Sequence, residues 1–476
     1  MRGLMLNSTR EPAGSLSVTS PFDGRELDQV ATAGSDHVED ALAAAYGLFR
    51  AKDSWLSVPE RIEILNKTAA IMGEQVEELT MLAASEGGKP YRDSKVEVIR
   101  AIDGIHLCIE ALRGHVGSVI PLGTTPATTG TLAFTQKEPI GVVVAVSAFN
   151  HPLNLIIHQV GPAVAAGCPF IVKPAGDTPL SCLRFIEILR EAGLPDAWCQ
   201  AIVTADRDSA TKLVTDPRVG FFSFIGSAQV GWMLSSKLAP GTRCALEHGG
   251  VAPAILAEPF DTERTLASVL KGGFYHAGQV CVSVQRVFIP AAQAAEFAAE
   301  LARRAQTLIV GAPEEESTDI GPLIRAAEAD RVAEWVDEAV AAGAELLCGG
   351  KKISDTCYEP TVLLNPPADI RVSTMEIFGP VVCVFGYDRL EDAVRQANSL
   401  PVAFQASIFC NDIDTAMSLY KQLDASAVML NEHTAFRDDV MPFAGLRESG
   451  LGTGGIPYTV EDMQIDKMLV IRSPSL

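Results

Sequence analysis

The chain has 476 residues, enough for two or three packed domains with cores of their own. Its 38 basic against 59 acidic residues leave a formal charge of −21, which repels nucleic acid and anionic membranes and excludes both as expected partners. The ten cysteines form no C-x-x-C pair or other metal-ligand spacing, so reduced thiols and no metal site are expected.

Residues 1–20 lack an apolar core followed by a small-residue cleavage site, so no leader is expected. Polar or acidic residues interrupt every long apolar run, no membrane span is expected, and the expected location is cytoplasmic. Apolar spacing predicts helices over 35–51 and 58–86, capped by Ser35 and Ser57, and a third over 95–112. At 140–147 the pattern changes to IGVVVAVS, a β-branched run that predicts a buried parallel strand. A helix over 153–166 follows, then a strand at 170–173 and a helix over 179–192. Strands near Ala201, at 220–224 and at 243–247 then alternate with helices from Ser209 and Ala228. Such alternation predicts a doubly wound α/β domain.

The alternation restarts after a hinge near Gly249-Gly250. Strands are expected at 252–256, 287–289 and near Glu345, Val362 and Val381. Helices are expected over 262–276, 293–306 and 326–342, and from Leu390. This is a second α/β domain. The final run, 467–472 (KMLVIR), predicts a short strand with no partner nearby in sequence, one that can add to a sheet edge in another subunit.

Cys281 ends Gly278-Gln279-Val280-Cys281 after a predicted helix, where a tight turn exposes a sulfur and backbone N–H groups or a cation favour its thiolate. Any one of ten cysteines is as readily an inert buried thiol. Glu247, in Leu246-Glu247-His248-Gly249-Gly250 at a strand end, is either a desolvated base or a solvated strand cap. His248 beside it reads as a structural hydrogen-bonder. Asn150, just after the 140–147 strand, faces the crevice where such folds bind ligands and is either an oxyanion donor or a turn residue before Pro152. Lys173 ends the next strand, within reach of a ribose or phosphate or else solvated. Gly226-Ser227 leads a strand into a helix N-terminus, a place for pyrophosphate, though the sequence is neither G-x-G-x-x-G nor a P-loop.

Taken together and in this order, these motifs resemble the aldehyde dehydrogenase superfamily from Pro21-Phe22-Asp23-Gly24 to the terminal strand. The resemblance implies an α/β fold of two doubly wound domains plus a small bridging β element for oligomerisation. It divides the chain into 1–116 with 140–249 for the cofactor, 250–454 for catalysis, and 117–139 with 455–476 for assembly. It implies Cys281 as nucleophile, Glu247 as base and Asn150 as oxyanion donor. Lys173, Gly226, Ser227, Val230 and Ser147 would hold NAD or NADP, with Glu376 on the nicotinamide ribose and Phe378 on its ring, from Glu376-Ile377-Phe378-Gly379-Pro380.

Pro442-Phe443 and Glu448-Ser449-Gly450 match a C-terminal signature, with Ala444-Gly445 where Gly-Gly is usual. Glu247 favours hydrolysis to an acid over transfer to coenzyme A, the alternative chemistry. Gly176 stands where NAD-preferring members carry a Glu, which eases NADP, although Asp177 adjoins it. The substrate positions read His151, His158, Tyr275 and Arg437, with Arg100 nearby. They suggest a small polar or anionic aldehyde of the lactaldehyde or glycolaldehyde kind, with succinic semialdehyde as alternative. Its anchor is Arg437 or Arg100, the latter on the 95–112 helix, and Arg437 reads equally as a loop residue paired with Asp438 or Asp439. The expected partners are this small aldehyde and further copies of the chain, as a homodimer or homotetramer.

Overall fold

The run at 140–147 becomes a central strand, Val142–Val146, of a six-stranded sheet in the computed structural model, which describes residues 1–114, 117–204 and 206–476. Across the sheet the strands are Gly450–Leu451, Arg243–Glu247, Val219–Ile225, Val142–Val146, Phe170–Lys173 and Cys199–Ala201. All neighbours are parallel except Gly450–Leu451. Successive side chains of a strand point to opposite faces, so Val143 and Ala145 enter one core layer while Val142 and Val144 enter the other. Both layers are covered, which is why the run is apolar at every position. Chain order reverses between Val142–Val146 and Val219–Ile225. The crevice of such a sheet opens there, at the ends that lead to Ser147, Asn150 and Gly226.

The second sheet runs Glu345–Cys348, Thr361–Leu364, Val381–Tyr387, Val284–Pro290, Ala252–Leu256, Gln405–Phe409 and Ala427–Leu430. Only Glu345–Cys348 is antiparallel. The doubly wound α/β expectation is met. Among the described residues no helix is long and apolar enough to cross a membrane, and no cluster of His, Cys, Asp or Glu could hold a metal.

Four local expectations need correction. The helix expected over 58–86 is two, Val58–Glu74 and Val76–Gly87, broken at Gln75. The first helix is capped by Gly34, not Ser35, and Gly34 N–H donates to His37 Nδ1 at 3.2 Å. Ser57 does cap its helix, reciprocally with Glu60. The helix expected over 262–276 stops at Phe274. The terminal strand has a partner in its own chain: Gln464–Arg472 pairs antiparallel with Thr131–Pro139, which pairs in turn with Val119–Ile120.

Past the second sheet the chain returns to the first. Gly450–Leu451 closes its edge beside Glu247, and helix Ile456–Asp462 buries Ile456 and Val460 against Tyr91–Gly114 and Asn154–Ala166. The boundary expected at 116 lies outside the described residues.

Candidate active site

Where helix Thr262–Phe274 ends, His276, Ala277 and Gly278 take φ of 49°, 53° and 72° in succession. This left-handed run turns the chain sharply towards Cys281. A Cβ on Gly278 would collide with the Gly379 carbonyl, so the turn lies flush against the Glu376–Pro380 segment. Gln279 fixes it from the other side, its amide donating to Pro322 O at 3.2 Å and accepting from Ile324 N–H at 3.0 Å. The Gln279 carbonyl accepts from Asn150 Nδ2 at 2.9 Å, which brings Asn150 to the turn that carries Cys281. Cys281 is partly buried. Burial, and then Glu376 and Glu247, push its thiol well above the ordinary value, against a smaller pull from Arg437 and its own backbone N–H. The expected thiolate-favouring surroundings are therefore not what the resting site provides.

Asn150 is held by a buried ion pair. Lys89 pairs with Glu97 and reaches Asn150 O at 3.5 Å. Glu97 Oε1 accepts from Leu153 N–H at 3.0 Å and Asn154 N–H at 2.9 Å, capping the helix that follows. Neither residue stood out in the sequence; Glu86-Gly87-Gly88-Lys89-Pro90, an acid and a base around two glycines, was the available signal.

Glu247 ends its strand with no hydrogen bond to its carboxylate among the described residues, and burial pushes it up to about 7 against the opposing charge of Arg437. Glu247 is half-buried, nearer the desolvated alternative than the solvated strand cap. His248 Nδ1 lies 3.0 Å from Gly226 O, a structural contact between two crevice loops.

Arg437 lies over the Phe443 ring at 4.2 Å and donates one bond, to Met441 O at 2.9 Å. No carboxylate lies within 4.0 Å of it among the described residues, so it pairs with neither Asp438 nor Asp439. Burial lowers it to about 10, and Glu247, Asp439, Arg100 and Cys281 act on it. Arg100 is different. Buried Asp439 grips it through two bonds, at 2.6 and 3.1 Å, and also meets His158 Nε2 at 2.8 Å. Both are committed to one carboxylate. His151 and Tyr275 lie together, ring centres 6.2 Å apart, in the wall between Asn150 and the turn.

On the cofactor side, Ser147 Oγ and Glu376 Oε1 are buried without partners among the described residues, which suits the hydroxyl groups of a dinucleotide. Glu376 is pushed up to about 8 by burial, against a bond from Gly250 N–H, and a Cβ on Gly249 would collide with it. Phe378, at φ 49°, meets Phe149 edge to face across the crevice at 5.8 Å. Gly226 and Ser227 lead into helix Ala228–Ser235, where Val230 is exposed. Among the described residues the Lys173 ammonium hydrogen-bonds only to Pro174 O, at 3.4 Å. Asp177 is held by Arg325 in a two-pronged pair at 2.7 and 3.1 Å, so its charge is already matched.

With this geometry in place, comparison with known proteins is direct. The aldehyde dehydrogenase family profile matches residues 8–469. The chain belongs to the aldehyde dehydrogenase family. It is therefore an NAD(P)-using oxidoreductase. It is 34% identical over 471 residues to 3-sulfolactaldehyde dehydrogenase of Priestia aryabhattai, covering 99% of this chain and 98% of that one. Aldehyde dehydrogenase 21 of Physcomitrella patens, solved with its reaction product succinate, superposes at a TM-score of 0.95 with 33% identity over 100% and 99% of the two chains. NADP-dependent glyceraldehyde-3-phosphate dehydrogenase of Bacillus halodurans, solved with NADP, gives 0.95 with 28% identity over 99% of each.

Proposed function

We propose that this aldehyde dehydrogenase oxidises a small anionic aldehyde to its acid, with Cys281 as nucleophile, Glu247 as base and Arg437 as the anchor for the substrate's anionic group. Arg437 carries the reading. It is a partly buried guanidinium without a carboxylate partner among the described residues, electrostatically in reach of both Cys281 and Glu247. The three proteins above are named for, or bound to, sulfolactaldehyde, succinate and glyceraldehyde-3-phosphate, which supports a charged substrate. Arg100 and His158 form the wall beside it and fix Asp439 rather than binding the anion themselves.

The Cys281 thiol rests protonated, so attack needs a base, and Glu247 is the group placed to take that proton. Sulfur adds to the aldehyde carbon, and Asn150 Nδ2 and the Cys281 N–H hold the oxygen that gains charge. A bound nicotinamide dinucleotide, held by Ser147, Lys173, Gly226, Ser227, Val230, Glu376 and Phe378, would supply the hydride acceptor that turns this thiohemiacetal into a thioester. Glu247 gives the thiol's proton up to solvent, then takes a proton from water; hydroxide adds to the thioester carbon, and the C–S bond breaks to release the acid and the Cys281 thiolate, which is reprotonated. Coenzyme A has no part in this sequence, and product forms without it.

Gly176 and the matched charge of Asp177 leave NADP as acceptable as NAD. The hinge at Gly249-Gly250 divides cofactor and catalytic parts. For assembly, Met468, Leu469 and Val470 are exposed on a strand at the open edge of its sheet, which supports a homodimer or homotetramer built through it. The deciding experiment is kcat/KM for a three-carbon hydroxyaldehyde with and without a sulfonate, for succinic semialdehyde and for hexanal, each with NAD and NADP. Arg437→Met should lower kcat/KM for the anionic substrates by about 10–100-fold and leave lactaldehyde within about threefold, the loss of a charged hydrogen bond. A preference for hexanal overturns the reading.

A further inference from the structure

Glu247's carboxylate rests against the C-terminal loop, in a niche made by a missing side chain. Gly454 is buried, and a Cβ built on it would collide with Glu247 Oε1 and come within 3.0 Å of Glu247 Cδ and of Phe443 O. Its backbone has no room to retreat, because Gly454 N–H donates to Phe443 O at 2.6 Å and Gly454 O accepts from Phe443 N–H at 3.0 Å. Phe443 in turn carries Arg437 on its ring at 4.2 Å. The φ of Gly454 lies outside the left-handed region, so alanine there meets no backbone strain of its own. What gives way to a methyl group is the flexible end of Glu247.

We infer that Gly454 is a positioning residue for the base: the space above its Cα holds the Glu247 carboxylate in a dry place beside the nucleophile, on the same loop that anchors Arg437. This rests on the reading of Glu247 as base. A side chain at 454 drives the carboxylate out of the niche towards water. It then loses the desolvation that raises it and stands displaced from the thioester it must serve. Displacement of a reacting group by about 1 Å is enough to cost a large factor in rate.

The test is a double-mutant cycle between Gly454→Ala and Glu247→Asp, whose shorter side chain relieves the collision. Steady-state turnover, the pre-steady-state NAD(P)H burst, the pH midpoint of turnover and the thermal midpoint are read in each variant. Gly454→Ala should slow steady turnover about tenfold or more while keeping the burst amplitude, and should move the pH midpoint downward from about 7. In the Glu247→Asp background the same substitution should cost less than about twofold. Unchanged turnover and midpoint in Gly454→Ala overturn the inference. So does an equal loss in both backgrounds, or a fall in thermal midpoint with the pH midpoint fixed, since those mark a purely structural glycine. Glu247→Gln is the separate control: if it keeps full turnover, the reading of Glu247 as base fails, and fails apart from the niche.

Discussion

As the proposed base, Glu247 owes its proton affinity to burial, and that sets its working range. Raised to about 7, it is a base only above that pH, so turnover limited by thioester hydrolysis should rise through a midpoint near 7. Glu247→Gln should cut steady turnover by about 100-fold or more and slow the NAD(P)H burst as well, while the burst amplitude still matches the site concentration because water takes the thiol's proton more slowly. Stopped-flow measurement of the burst against steady turnover, from pH 6 to 9, checks both parts. Arg437 works the opposite way. Its positive charge favours the ionised form of Glu247, so an anionic substrate that neutralises Arg437 pushes the base upward at the moment it is needed.

At the scale of elements, the turn before Cys281 is an unforgiving segment. Gly278→Ala places a methyl group against the Gly379 carbonyl at a φ of 72°. The conformation alone costs about 1–2 kcal/mol, before the collision is relieved by moving backbone on both sides. We expect a lower thermal midpoint by calorimetry together with a loss of Cys281 labelling rate, because the same turn aims the thiol.

Much of this architecture was legible beforehand, and the reason differs from element to element. Val142–Val146 announced itself because a strand buried on both faces must be apolar at every position. The break at Gln75 did not, because no Pro marks it and the one nearby glycine, Gly73, is tolerated inside helical spacing. The motifs around Cys281, Glu247 and Asn150 carried the core of the site. Its supports were hidden, since Asp439 meets Arg100 and His158 across 339 and 281 residues of chain, and no local pattern encodes such a meeting. Gly454 was hidden for another reason: what it contributes is an absence of atoms.

Across the whole molecule the buried ionisable groups set a pH preference for the apo-protein. Glu86 and Glu247 are raised to about 7 and Glu376 to about 8, so each holds its proton more tightly folded than unfolded. Their contribution to stability is complete below about 4.5 and is lost as pH rises through those folded values. His151, His158 and His276 are lowered from 6.5 by burial, and what they contribute is complete above 6.5 and lost on acidification. Of these six groups the carboxyl groups are the ones still losing stability above 6.5, so the thermal midpoint should fall between pH 6.5 and 8. A midpoint that climbs over that interval would contradict the burial assigned to these three glutamates.

The return of the chain to its first sheet has a consequence for how the protein is made. A ribosome releases residues in order, yet the first sheet lacks its edge strand until Gly450–Leu451 emerges, and its core lacks Ile456 and Val460 until the helix after it. Of the two large sheets, the one begun first thus closes second, and its apolar surface stays uncovered until residues 450–462 have emerged.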